Sequence, residues 1–134
     1  MKYLILLLTL LITSQANAIT IDPTIPGQTT LTITCTYPIA REDGTLLTIG
    51  EIAKVNFFVK KSGGDGGFIP AGENTTACKQ IYDMTLVADG TYIYEVATVD
   101  TDGRESVLSN EMFTAIVKRL PNPNTPTGVT GLVS

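Results

Sequence analysis

The stretch DGTYIYEVATVDTDGRESVLSNE, residues 89–111, decides how this chain is read. From Thr91 to Val99 the residues alternate. Tyr92, Tyr94, Val96 and Thr98 form one set, and Ile93, Glu95, Ala97 and Val99 the other. A period of two puts the sets on opposite faces of an extended strand, and β-branched and aromatic residues suit that pleated surface. The pattern breaks at Asp100-Thr101-Asp102-Gly103, a cluster of turn formers, and apolar residues resume in NEMFTAIVK, residues 110–118. The stretch therefore predicts two strands joined by an acidic turn.

The same rhythm extends towards the N-terminus. In TTLTITCTYP, residues 29–38, Leu31, Ile33, Cys35 and Tyr37 share one face, and Thr30, Thr32, Thr34 and Thr36 the other. Pro38 ends that strand, because proline cannot donate to a ladder. IAREDGTLLTIGE, residues 39–51, is a polar loop with a turn at Asp43-Gly44. IAKVNFFVKK, residues 52–61, is the next strand, with Val55, Phe57 and Val59 inward. Asn56, Phe58 and Lys60 point outward, so the Phe58 ring either covers a sheet edge or meets a partner. SGGDGG is a turn, since glycine permits positive φ. FIPAG, residues 68–72, reads as a short edge strand. In NTTACKQIYDMTL, residues 74–86, a strand is expected over the second half, with Cys78, Gln80, Tyr82, Met84 and Leu86 in one register. No window after the N-terminal segment carries an amphipathic helix. Six or seven short strands with frequent turns predict an all-β chain, an antiparallel β-sandwich.

The first eighteen residues differ. Lys2 precedes an apolar run from Tyr3 to Ile12, and Ala16-Asn17-Ala18 supplies small residues at a cleavage position. This is the pattern of a secretory signal peptide, a helix over 1–18 that is removed after Ala18. The run is about half the length a spanning helix requires, so the membrane is a partner only through this segment if it stays uncleaved. Residues 19–28, with Pro23, Pro26 and Gly27, form an extended lead-in; residues 29–118 form the domain; residues 119–134, rich in Pro, Asn and Gly, form a tail.

Composition narrows the function. The chain has 9 basic and 13 acidic residues; without Lys2 the remainder has 8 against 13, a net charge of −5. No basic cluster exists to neutralise phosphates, which disfavours a nucleic-acid partner. There is no histidine, hence no Ser–His or Cys–His catalysis and no zinc–His site. The expected localisation is secreted or periplasmic. There, an even count of two cysteines, Cys35 and Cys78, favours one disulfide over two buried thiols.

With these elements in place, LVADGTYIYEVATVDTDGRESVLSNEMFTAIV resembles the last strands of a fibronectin type III domain of bacterial or phage type. Leu86 and Tyr92 fit the leucine and tyrosine of its tyrosine corner. Val96 and Val99 fit the penultimate strand, and Ser109-Asn110-Glu111 the opening of the last. REDGTLLTIGEIAKVNFFV resembles the passage between its second and third strands. The family usually carries a core tryptophan on the second strand, where this chain has Cys35, and residues 68–81 match it poorly. The resemblance implies an immunoglobulin-like sandwich of about seven strands with fibronectin type III topology. It also implies a structural role for Tyr92, whose hydroxyl bonds nearby backbone.

Candidate sites follow from these elements. Asp100, Asp102, Arg104 and Glu105 lie on the turn between the last two strands, a place where sandwich loops contact partners. Their acidic spacing also admits Ca²⁺, but the EF-hand pattern of twelve residues with glycine at the sixth is missing. The Gly-rich turns lack the lysine and helix of a phosphate loop. Asn74-Thr75-Thr76 is a glycosylation sequon in a eukaryotic host. Acid pairs at Glu42/Asp43 and Asp100/Asp102 sit in solvated turns, so no catalytic residue and no cofactor is assigned. The expected function is an exported, non-catalytic binding, adhesive or structural module whose partner is a protein or a surface glycan. Two alternatives stand beside it: a phage-encoded virion or host-surface-binding protein, and a subunit that self-associates through residues 120–134 by strand addition.

Overall fold

The computed structural model describes residues 17–134. The leader expected over 1–18 lies outside the described residues, except for Asn17 and Ala18. The strands are β1 (Asn17–Ile21), β2 (Thr30–Thr34), β3 (Ile52–Lys61), β4 (Ile69–Asn74), β5 (Lys79–Asp83), β6 (Gly90–Asp100) and β7 (Phe113–Val117). They form a five-stranded sheet in the order β1-β7-β6-β3-β4 and a two-stranded sheet, β2-β5. A short 3₁₀ turn, Ile49–Glu51, leads into β3. Placing β4 beside β3 departs from the constant-type immunoglobulin order, which puts the fourth strand on the sheet of the second and fifth. The arrangement agrees with the fibronectin type III-like sandwich expected above.

Alternation builds the core. On β2, Leu31 and Ile33 are buried and the threonines between them exposed. On β3, Val55 and Phe57 are wholly buried; on the neighbouring β6 and β7 of the same sheet, Tyr94, Ala115 and Val117 extend the same cluster. Met84, just past β5, fills the space between the sheets. Where the family carries a tryptophan, Cys35 packs at the edge of this core beside Cys78. The two are disulfide-bonded, with Cα atoms 5.1 Å apart. The Cys35 amide also donates to the Cys78 carbonyl oxygen at 2.9 Å, continuing the β2–β5 ladder.

Two expectations are revised. Residues 19–28, read as an extended lead-in, begin inside a strand: β1 pairs in parallel with β7, Ile19 opposite Ala115 and Ile21 opposite Val117. Asp22 is the cause. Its buried carboxylate accepts hydrogen bonds from the Thr24 amide (2.9 Å), the Thr24 hydroxyl (2.5 Å) and the Leu120 amide (3.0 Å), tying the end of β1 to the chain leaving β7. Leu86, placed in one register with Tyr82 and Met84 and matched to the leucine of the corner, is 96 % exposed. The strand ends at Asp83, whose carboxylate caps the Thr85 amide and hydroxyl, and the turn that follows directs Val87 towards the core instead. Strand periodicity cannot be carried through a turn.

Candidate functional surface

Asp100 ends β6 and organises the loops at one pole of the sandwich. Its side chain is only 6 % exposed. One carboxylate oxygen accepts from the amides of Asp102 (3.0 Å) and Arg104 (2.9 Å); the other accepts from Arg41 Nη1 (2.8 Å) and Arg104 Nε (3.0 Å). These bonds, led by that from Arg41, hold the Asp100 carboxyl well below the usual carboxylate range. Arg41 extends the network to Glu51 at 3.3 Å, and the Glu51 carboxylate also accepts the Thr48 amide at 2.8 Å. Gly103, at φ 82°, supplies the left-handed residue the turn requires. Two loops distant in sequence, residues 39–51 and 100–105, are thus joined through one buried carboxylate.

The four residues read from the turn therefore separate. Asp100 is consumed by internal bonds. Asp102 and Arg104 pair with each other, each side chain 68 % exposed. Glu105 turns away to accept a hydrogen bond from Asn56 on β3. Among the described residues no three acidic or cysteine side chains converge. Asn74, the sequon residue, is occupied as well. Its Oδ1 accepts the amides of Thr76 (2.9 Å) and Ala77 (3.0 Å), and its Nδ2 donates to the Lys79 carbonyl oxygen at 2.7 Å.

Glu105 points to a second place, the outer face of β3 and β4. There Phe58 lies opposite Pro70 on β4 and Glu95 on β6. The half-buried Phe58 ring sits in a shallow, open concavity whose rim includes Lys54, Asn56, Gly72, Glu73 and Glu105. Lys54 and Glu73 form an ion pair at 2.6 Å across β3 and β4. A Cβ on Gly72 (φ 106°) would stand 2.8 Å from Gln80 Nε2, so this part of the wall admits only glycine without displacement. The outward direction of Phe58 is legible in the alternation of β3. Its rim is not, because Glu73 and Glu105 come from distant segments.

Tyr92 lies near the opposite pole. Its hydroxyl donates to the Ala88 carbonyl oxygen, four residues upstream, at 2.7 Å, and its ring packs against the core. Tyr82 donates to the Ala71 carbonyl oxygen at 2.7 Å and stacks obliquely on Tyr94 with ring centres 5.1 Å apart. Burial pushes the Tyr82 phenol upward. Neither Tyr82 nor Asp22 stood out in the sequence as a tether, since each acts on a backbone group that only the fold supplies.

No protein-family model matches the chain, and no curated protein matches it. Among solved structures the chain is similar to fibronectin(III)-like modules of CbhA from Clostridium thermocellum. The identity is 21 %, the match covers 78 % of this chain and 91 % of the module, and the TM-score is 0.49.

Proposed function

We infer that this fibronectin type III-like sandwich is a non-catalytic binding module that works outside the cytoplasm and grips a protein partner through the Phe58 concavity. The observation that carries the reading is the half-buried aromatic ring in an open hollow rimmed by paired polar side chains. Aromatic anchors encircled by polar groups dominate the energy of protein–protein contacts, because the ring loses water on binding while the rim keeps its hydrogen bonds. The Asp100 network and the disulfide stiffen the sheets behind it, so little conformational entropy is lost when a partner docks. Export is supported by the leader pattern of residues 1–18 and by the Cys35–Cys78 pairing, which suits an oxidising compartment.

The test is site-specific photo-crosslinking on the exported protein in its own host. A photoreactive side chain at Phe58 is expected to give one discrete protein adduct, which weakens when Lys54 and Glu73 are both changed to Ala. The same group at Asp65, on an exposed turn away from the hollow, is expected to give none. Equal adducts at both positions, or none at Phe58, would end the reading.

A further inference from the structure

We propose that the free edge of β2 is the acceptor for a strand from a second copy of this chain, residues 127–134. Among the described residues the β2–β5 sheet has only two strands, since β1 pairs with β7 in the other sheet. On β2 the odd residues bond towards β5: Leu31 faces Tyr82, Ile33 faces Gln80, and Cys35 continues the ladder to Cys78. In an antiparallel pair the intervening residues aim their amides and carbonyls the other way. Those of Thr30, Thr32 and Thr34 have no hydrogen-bond partner among the described residues. Exposed edges are ordinarily blunted by lysine, proline, a bulge or a cover. From Thr29 to Tyr37 this edge has no charged residue and no proline, and four of its threonines are strongly β-forming and exposed.

Beside the edge runs a groove between the two sheets. Thr32, Thr34 and Thr36 form one wall, and its floor and far wall include Val96, Met112 and Phe113. Met112 is 42 % exposed, and Val96 and Phe113 are only partly covered. An added strand would place alternate side chains onto this floor and its backbone against Thr30–Thr34.

The chain carries a segment that suits it. Residues 121–134 are exposed and without regular structure, and Val129, Leu132 and Val133 are 89 %, 95 % and 97 % exposed. Val129 and Val133 share one face of an extended strand, with Gly131 between them. The segment carries no charged side chain from Leu120 onwards, and neither does β2, so no side-chain charge of the added strand opposes Glu95 and Glu111, which also line the groove. The intervening PNPNTP, residues 121–126, holds three prolines and acts as a stiff, extended spacer. It starts from a fixed point: the Arg119 guanidinium is held by Asp89 at 2.6 Å and by the Thr85 carbonyl oxygen at 3.1 Å. A stiff spacer from a fixed base carries residues 127–134 away from their own body, so the occupant is the tail of another copy.

The test uses residues 19–134 in sedimentation velocity over about a hundredfold concentration range. Concentration-dependent association is expected, lost on removal of residues 121–134 and lost in Thr32→Pro. Proline at Thr32 removes only an outward amide, so its melting temperature is expected to stay near that of the parent. A labelled peptide of residues 126–134 is expected to bind the truncated protein and not truncated Thr32→Pro. A chain monomeric throughout, or association that survives truncation, overturns the proposal. So does a monomeric full-length chain whose truncated form binds the peptide, which would mean that each tail folds onto its own β2. The Phe58 surface lies on the outer face of the other sheet, so its fate is independent of these outcomes.

Discussion

At the scale of single residues, two carboxylates and one hydroxyl, those of Asp100, Asp22 and Tyr92, tie backbone segments together at the ends of strands. Asp100 and Asp22 both lie below the ordinary carboxylate range, Asp100 chiefly through Arg41 and Asp22 chiefly through the Leu120 amide. A folded-state value below the unfolded one means that the unfolded chain takes up more protons as pH falls. The stability these groups contribute is therefore present above about pH 4 and lost progressively below it. Asp100→Asn and Asp22→Asn are each expected to lower the melting temperature at pH 7. The gap to the parent should shrink as pH approaches 3, and a gap constant with pH would refute this account. Tyr92→Phe removes the bond to Ala88 and is expected to cost about 1 kcal/mol in denaturant unfolding, with no change of fold. An aspartate at Leu86 is expected to be nearly neutral, whereas one at Val87 should destabilise, because the two differ in which side of the turn they occupy.

At the scale of elements, the two-stranded sheet is the weakest part of the fold by pairing and the most strongly stapled. Its two strands exchange a short ladder of five residues each, which alone is marginal in water. The Cys35–Cys78 bond spans 43 residues and ties the end of β2 to the approach to β5. The chain-entropy account gives a closure of that size about 4 kcal/mol. A Cys35→Ala/Cys78→Ala double variant is expected to lose stability of that order while keeping the alternating core of β3, β6 and β7. Hydrogen exchange should show the loss first in β2 and β5, and uniform loss across both sheets would argue against a local staple. On the other sheet, Phe57→Ala is expected to cost about 3–5 kcal/mol, because the ring is wholly buried in the core between the two sheets.

At the scale of the molecule, the proposed export makes a prediction about the mature chain. On that proposal its intact mass is expected to start at Ile19 and to be two hydrogens short of the reduced form. A mass retaining Met1 with two alkylatable thiols would place the chain elsewhere. With Ile19 first, β1 keeps Ile19–Ile21 against β7, and Asp22 still anchors that pairing to Leu120.

Much of this was readable before any coordinates. Alternation depends only on the order of residues, so β2 and β3 with their buried faces, the existence of β6 and the outward turn of Phe58 followed from the sequence, whereas β6 buries Tyr94 from one alternating set and Ala97 and Val99 from the other. The all-β class, the turn at Gly103 and the pairing of Cys35 with Cys78 also followed from the sequence. What local order cannot encode is which distant groups meet. That Asp100 is spent on Arg41, that Glu105 reaches Asn56, that Asp22 captures the Leu120 amide and that Leu86 swings outward are consequences of chain reversal at turns. The open edge of β2 is the same kind of fact. It exists because β1 crosses to the other sheet, a choice made by long-range hydrogen bonds and shared core burial rather than by the residues of β2 themselves.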